Sequence, residues 1–474
     1  MKEEFKAIPA ERQVYCNRTL NLKSISAIGY DMDYTLIHYR AEVWELRTYE
    51  YLKQQFLADG WPVDQLQFNP NIVSRGLIID TEFGNLIKAN RFGFIKRAMH
   101  GTALMSFEEH RRLYSRTLID LEDKRWVFLN SLFSLTEGCM YCQLVDLLDR
   151  RLIPEVLGYI DLYERVRRVL DEAHMEGRVK AEIITSPEKY VILEEEVPLA
   201  LWDQRCSGKK LILITNSEWS YTVPMMTYAF DRFLPSGNTW RDLFQIIIVG
   251  ARKPYFFTTD QPFFEIANEE GVLKPHRGRL KKGKAYLGGA ARALEKDLKL
   301  SGDEILYVGD HMFGDVHVTK NVSRWRTALI LRELEDEIQA IEDFKTDQQQ
   351  LLRLMKEKQQ LEDRYCSVKL TLQRMQESSG TKVLDKELEK EMREIRSSLE
   401  ALDKEISPLA QRNAELNNKI WGLLMRAGND KSYLAYQVER YADIYTSRVS
   451  NLMWITPFAY LRPPRGSMPH DSGL

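Results

Sequence analysis

Four short apolar runs, each closed by polar residues, constrain this chain more than any other feature. Residues 25–30 run into Asp31, 211–214 into Thr215 and Asn216, 244–249 toward Lys253, and 305–308 into Gly309 and Asp310. Each run is rich in Ile, Val or Leu and lacks Pro. Such runs suit strands buried on both faces of a parallel sheet. The stretches between them carry helical patterning, as parallel crossovers require. The polar residues all fall at the carboxyl ends, the edge where open α/β sheets bind ligands. The expected fold class is therefore α/β, with a Rossmann-like core around a parallel sheet.

The gap between the first two runs exceeds what a crossover needs. Over 41–201 the pattern is mostly helical, as in Ile160, Tyr163, Val166 and Leu170. A mainly helical cap inserted into the core is expected there, leaving the core discontinuous over 1–40 and 202–334. From 335 to 426 the composition changes. Residues 331–407 contain no Pro, and Leu361, Tyr365, Val368, Leu372 and Met375 repeat at spacings of four and three. Leu388, Met392, Ile395, Leu399, Leu402 and Ile406 do the same. This predicts a long antiparallel helical hairpin of coiled-coil character, turning near Ser378-Ser379-Gly380. Its charge-rich stretch reads as a solvated helix face. Residues 427–474 are expected to pack back on the core.

Charge and cysteine content narrow the class. Lys and Arg total 67 against 69 Asp and Glu, a net charge of -2, which argues against a general nucleic-acid binder. The five cysteines are too sparse for a disulfide framework. Cys139 and Cys142 form a lone CxxC without the further ligands a zinc site needs, and read as a buried, reduced pair. No N-terminal apolar signal core is present, and the hydrophobic stretch 452–461 is about half the length of a bilayer span. A soluble, cytoplasmic protein without a membrane partner is expected.

The strand ends carry the chemistry. In Asp31-Met32-Asp33-Tyr34-Thr35-Leu36 two carboxylates stand at i and i+2, and their repulsion calls for a divalent cation such as Mg²⁺, which favours oxygen ligands. Aspartate pairs are also common in turns. Thr215-Asn216-Ser217 can hold phosphate oxygens or cap a helix. Lys253 can set a positive charge beside a phosphoryl group, or lie on the surface. Gly309-Asp310-His311-Met312-Phe313-Gly314-Asp315 brings tight turns and two more carboxylates, Asp310 suited to a metal and Asp315 to a supporting role.

Taken in order, these motifs resemble the signature of the haloacid dehalogenase superfamily of phosphohydrolases. Further stretches resemble its cytosolic purine 5′-nucleotidase family: Asn17-Arg18, Ala251-Arg252-Lys253-Pro254, Trp325-Arg326-Thr327, Arg440-Tyr441-Ala442-Asp443 and the ending Met468-Pro469-His470. The resemblance implies a Mg²⁺-dependent hydrolase of purine nucleoside 5′-monophosphates, with IMP and GMP preferred. It implies Asp31 as nucleophile and Asp33 as general acid and base, with Lys253 beside them. The implied metal ligands are Asp31, Asp310 and the main-chain carbonyl of Asp33. Thr215, Asn216, Lys253 and Lys180 would hold phosphate, and Asp315 would orient the metal's water or Lys253. Phe133 matches a position that stacks on the purine. Arg167, Asp171 and His174 match the base- and ribose-recognition segment.

On their residues alone, Phe133 reads as helix core, and Arg167 with Asp171 as a surface ion pair. The chain also departs from the family at Met175 and Ser134, near the ribose, and over 119–125, where vertebrate members bind an adenine-nucleotide effector. Phosphoryl transfer to another nucleoside and a homo-oligomer, dimer or tetramer, complete the expectation. Two alternatives stand beside it: a phosphatase for another phosphomonoester, and an interaction protein built on the hairpin.

Overall fold

The computed structural model describes residues 8–153, 155–379 and 385–464, with the side chains of 174–176, 378 and 379 outside that description. The ending at 468–470 and the turn of the hairpin thus lie outside the described residues. The chain divides into two compact units, Met1–Glu335 with Leu424–Leu474, and Asp336–Leu423.

The first unit is built on a ten-stranded sheet. Its strands are β1 (Tyr15–Cys16), β2 (Ala27–Tyr30), β3 (Lys210–Ile214), β4 (Ile246–Val249), β5 (Phe263–Ile266), β6 (Leu273–Pro275), β7 (Lys284–Gly288), β8 (Ile305–Gly309), β9 (Arg326–Ile330) and β10 (Ile444–Thr446). The spatial order is β1-β10-β9-β8-β2-β3-β4-β7-β5-β6. From β10 through to β7 all neighbours are parallel, and both edges end antiparallel. The α/β class expected from the apolar runs is what the chain adopts. The runs are continuous because alternate residues face two separate cores. Ile28, Tyr30, Leu211, Leu213, Ile247 and Val308 join one core. Ala27, Ile212, Ile214, Ile246, Ile248 and Tyr307 join the other. Each fully buried Ile or Leu contributes about 1.5–3 kcal/mol.

From β2 the chain builds outward on one side through β3, β4 and β7, then returns to place β8 on the other side. The order reverses at β2, so a crevice opens beyond its carboxyl end. Asp31 continues that strand, its N–H donating to the Val308 carbonyl at 2.9 Å.

The inserted segment is more mixed than expected. It contains helices α1 (Ala41–Ala58), α2 (Leu135–Asp149), α3 (Tyr159–Glu176) and α4 (Arg178–Thr185). It also carries a five-stranded antiparallel sheet in the order Ala103–Leu104, Ile95–His100, Asn85–Ala89, Ile78–Asp80, Trp126–Phe128. Helices still make up most of its regular structure, and the sheet is an addition that the sequence pattern did not mark. All five residues of Asn85–Ala89 are buried, Asn85 and Lys88 included, so polar and apolar residues do not alternate as in a half-exposed strand.

The second unit holds helices α5 (Lys345–Ser379) and α6 (Lys386–Ala414). Leu351, Leu354, Leu402, Ile406 and Leu409 form their shared core. Ion pairs Lys358–Asp403 at 2.6 Å and Arg412–Asp347 at 2.8 Å join the two helices. No helix among the described residues is long and apolar enough to cross a membrane.

Candidate active site

The crevice beyond β2 gathers residues from four strand ends. Lys253, just past β4, has a buried side chain that places Nζ 2.6 Å from Asp31 Oδ1 and 2.8 Å from Asp315 Oδ1. An N–H of its ammonium donates to the Tyr307 hydroxyl at 3.0 Å, which in turn donates to the Ile214 carbonyl at 3.0 Å. The two carboxylates meet the ammonium as ion pairs, and Asp315 Oδ1 itself has no hydrogen-bond partner. Burial works against the charge on Lys253, but Asp31 and Asp315 outweigh it and hold its pKa well above the ordinary value. Burial raises Asp31 to about 7, Lys253 opposes the rise, and Asp315 adds to it.

Two glycines make this approach possible. A Cβ on Gly309 would stand 2.4 Å from Asp315 Oδ2, and one on Gly29 would stand 2.8 Å from the Tyr307 ring. Two non-glycine residues take left-handed backbone beside site residues, Tyr34 (φ 55) after Asp33 and Arg252 (φ 56) before Lys253. Each such residue costs about 1–3 kcal/mol, which the surrounding packing must offset.

Asp31, Asp310 and Asp315 bring one carboxylate oxygen each within 4.8 Å of one another. Asp310 Oδ2 is buried with no hydrogen-bond partner. Three carboxylates with an orphaned acceptor fit a divalent cation with oxygen ligands. Burial also raises the Asp310 pKa well above the usual range, opposed by Arg75. His311 follows; burial lowers it to about 4, and its Nδ1 accepts from the Gly314 N–H at 2.8 Å, so the ring is neutral with its proton on Nε2.

Asp33 faces a different set of groups. Its carboxylate accepts from the Ser217 hydroxyl at 2.6 Å and the Tyr39 hydroxyl at 2.6 Å. Tyr39 accepts from Tyr221 at 3.1 Å, and Ser217 accepts from Lys180 Nζ at 3.0 Å. The Asp33 side chain is not in the carboxylate cluster, where Asp315 is the third member.

The remaining expected residues have these positions. Thr215 is fully buried, and its Oγ1 accepts from the Ser217 N–H at 3.0 Å. The Asn216 side chain clamps the Lys253 main chain, accepting from its N–H at 2.6 Å and donating to its carbonyl at 3.2 Å. Phe133 lies edge-on to Tyr34 (4.7 Å) and Trp44 (5.4 Å) on the turn leading into α2. Arg167 pairs with Asp171 at 3.1 Å, and also with the buried Glu137 of α2 at 3.3 Å. Glu137 accepts from Tyr163 at 2.6 Å as well. His174 belongs to α3, but its side chain lies outside the described residues. Sequence reasoning missed Tyr307, Tyr39, Glu137 and Arg75 as parts of this neighbourhood. Ser217 was legible within its Thr-Asn-Ser motif.

Fold and site together define an α/β enzyme whose reactive edge combines aspartates with one buried lysine at a topological switch point. Comparison with known proteins makes this specific. The model of the 5′ nucleotidase family matches residues 14–473, and the chain belongs to that family. It is similar to a 5′-nucleotidase domain-containing protein of Dictyostelium discoideum, 28% identical over 98% of this chain and 75% of that one. It is also similar to 5′-nucleotidase domain-containing protein 2 of Homo sapiens, 27% identical over 97% of this chain and 85% of the other. Among solved structures, a beta-phosphoglucomutase from Pyrococcus sp. strain ST 04 aligns at 10% identity with a TM-score of 0.32. It covers 65% of this chain and 86% of its own. As a member of its family the chain is a 5′-nucleotidase, hydrolysing nucleotide 5′-monophosphates.

Proposed function

We propose that the enzyme hydrolyses purine nucleoside 5′-monophosphates, IMP and GMP foremost, through a phosphorylated Asp31. The observation that carries this reading is the separation of the two aspartates. Asp31 is held by Lys253, and Asp33 by Ser217 and Tyr39. An Asp31 oxygen attacks phosphorus, and the bond from phosphorus to the ribose O5′ breaks. Asp33 delivers its proton to that oxygen as the nucleoside leaves. Water then attacks the acyl phosphate, Asp33 takes the water's proton, and phosphate departs with Asp31 restored. A nucleoside hydroxyl replacing that water would give phosphotransfer.

Lys253 balances charge on the phosphoryl oxygens. It stands in ion pairs with Asp31 and Asp315 and donates to Tyr307, which hold it at the phosphoryl position. Thr215, Asn216 and Lys180 complete the phosphate end. Asp31, Asp310 and the main chain of Asp33 would hold Mg²⁺, with Asp315 supporting. When bound, the cation neutralises developing charge on the phosphoryl oxygens. Phe133, Arg167, Asp171 and His174 form the purine end.

The pairing of Arg167 with Asp171 and Glu137 favours a second reading, in which the substrate is another phosphomonoester. One panel separates the two. Phosphate release is measured from IMP, GMP, AMP, UMP and sugar phosphates, with Mg²⁺ or EDTA. Preference for IMP and GMP, lost in EDTA, supports the purine reading. Equal rates on all substrates would remove it, and full activity of Asp31→Asn would remove the nucleophile.

A further inference from the structure

Arg75 is a buried arginine, 3% exposed, on the loop preceding the inserted sheet. Arginines are almost never so buried unless paired, because desolvation is costly. Its partners belong to the catalytic core. Nη1 donates to the main-chain carbonyl of Asp310 at 3.2 Å and to that of Ile330 at 3.4 Å. Nε lies 2.9 Å from Glu333 Oε1. Nη2 lies 3.9 Å from Asp310 Oδ2, close enough for charge attraction and too far for a hydrogen bond.

We infer that Arg75 is a positioning residue, reaching from the inserted segment to fix Asp310 and thereby setting the site's affinity for its divalent cation. The inference rests on the proposed reading of Asp310 as a metal ligand. Three observations carry it. The guanidinium holds the Asp310 main chain while leaving Oδ2 without a hydrogen-bond partner, so that oxygen is oriented yet available. Glu333 opposes the guanidinium charge, so the pair contributes geometry more than net repulsion of a cation. The loop carrying Arg75 has little slack. The Gly76 N–H donates to the Leu129 carbonyl at 2.7 Å. Gly76 itself has φ +84, and a Cβ there would meet Leu434 Cβ at 2.8 Å. Partners that orient a metal ligand typically change affinity 10–100-fold when removed.

The test is Mg²⁺ binding to the full chain without substrate, by calorimetry and by the Mg²⁺-induced rise in Tm. Arg75→Gln should weaken binding about 10–100-fold. Its phosphate release should recover most of the wild-type rate at saturating Mg²⁺, a recovery that general structural damage would not give. Arg75→Lys keeps the charge but not the fork, and should weaken binding about threefold to tenfold. Asp310→Asn is the control. If it loses Mg²⁺ binding while both Arg75 variants bind as the wild type does, the inference is overturned and the metal reading stands. If Asp310→Asn itself binds Mg²⁺ normally, the metal reading fails and the inference with it. Should Arg75→Gln not fold, Arg75→Lys decides: weakened binding supports the inference, and unchanged binding overturns it.

Discussion

Tyr307 shows how a residue with no reactive chemistry can govern one that has it. Its hydroxyl accepts a hydrogen bond from Lys253 and donates one to the Ile214 carbonyl. Tyr307→Phe removes one bond and strands a buried carbonyl, each worth about 1 kcal/mol. The expected outcome is a fall of about tenfold in kcat for IMP, with a stability loss of about 1–2 kcal/mol in urea melts. An unchanged kcat would show that the two carboxylates alone align the ammonium. At this scale Asp31, Lys253 and Asp310 were legible in the sequence because each follows an apolar run. Tyr307 was not, because it lies inside such a run and reads as filling. Arg75 was not legible either, since two of its partners are carbonyls of residues 310 and 330, which sequence pattern does not mark.

Among elements, α1 and α2 are joined through a buried carboxylate. Glu45 of α1 is fully buried, its Oε2 accepting from the Thr136 N–H at 2.9 Å in the first turn of α2. The Thr136 hydroxyl donates to the Glu45 carbonyl at 2.8 Å. Burial raises the Glu45 pKa from 4.5 to about 7, against the lowering effect of Thr136. The folded state therefore holds this proton more tightly than the unfolded chain does. Stability is greatest below the unfolded pKa and falls as pH rises through the folded value, by about 3 kcal/mol at 1.4 kcal/mol per unit. Glu45→Gln should match the wild type near pH 5 and be the more stable at pH 8, as urea melts at both values would show. Coincident pH profiles would mean that Glu45 is not titrating. One turn beyond Phe133, Glu137 braces Arg167. Glu137→Gln should raise KM for IMP by about threefold to tenfold, the worth of about 1 kcal/mol for one net hydrogen bond, and leave p-nitrophenyl phosphate turnover unchanged. Equal effects on both substrates would take Glu137 out of base recognition. The core strands were readable as unbroken apolar runs. The inserted sheet was not, because its strands are short and bury polar residues such as Asn85 and Lys88.

For the whole molecule, the hairpin unit has a core of its own, so its stability is separable in principle from the sheet unit's. Leu402→Ala should cost about 2–5 kcal/mol of hairpin stability, seen as an earlier helical melt by circular dichroism, with phosphate release from IMP retained. Loss of activity in step with that melt would tie catalysis to the hairpin. The heptad-like spacing of its leucines and isoleucines made this unit legible in the sequence. The sheet unit bears a different mark of its connectivity. Asp31 meets its flanking strands only after β3 and then β8 have been made, and Tyr15 meets Tyr445 across the outermost pairing. On the ribosome the first strands therefore emerge with their edges bare, and most of the chain must follow before they are covered. Such long-range pairing is slow and prone to aggregation. The nascent chain thus holds Asp31 at the end of an unfinished sheet until β8 has been made, and the site cannot assemble before then.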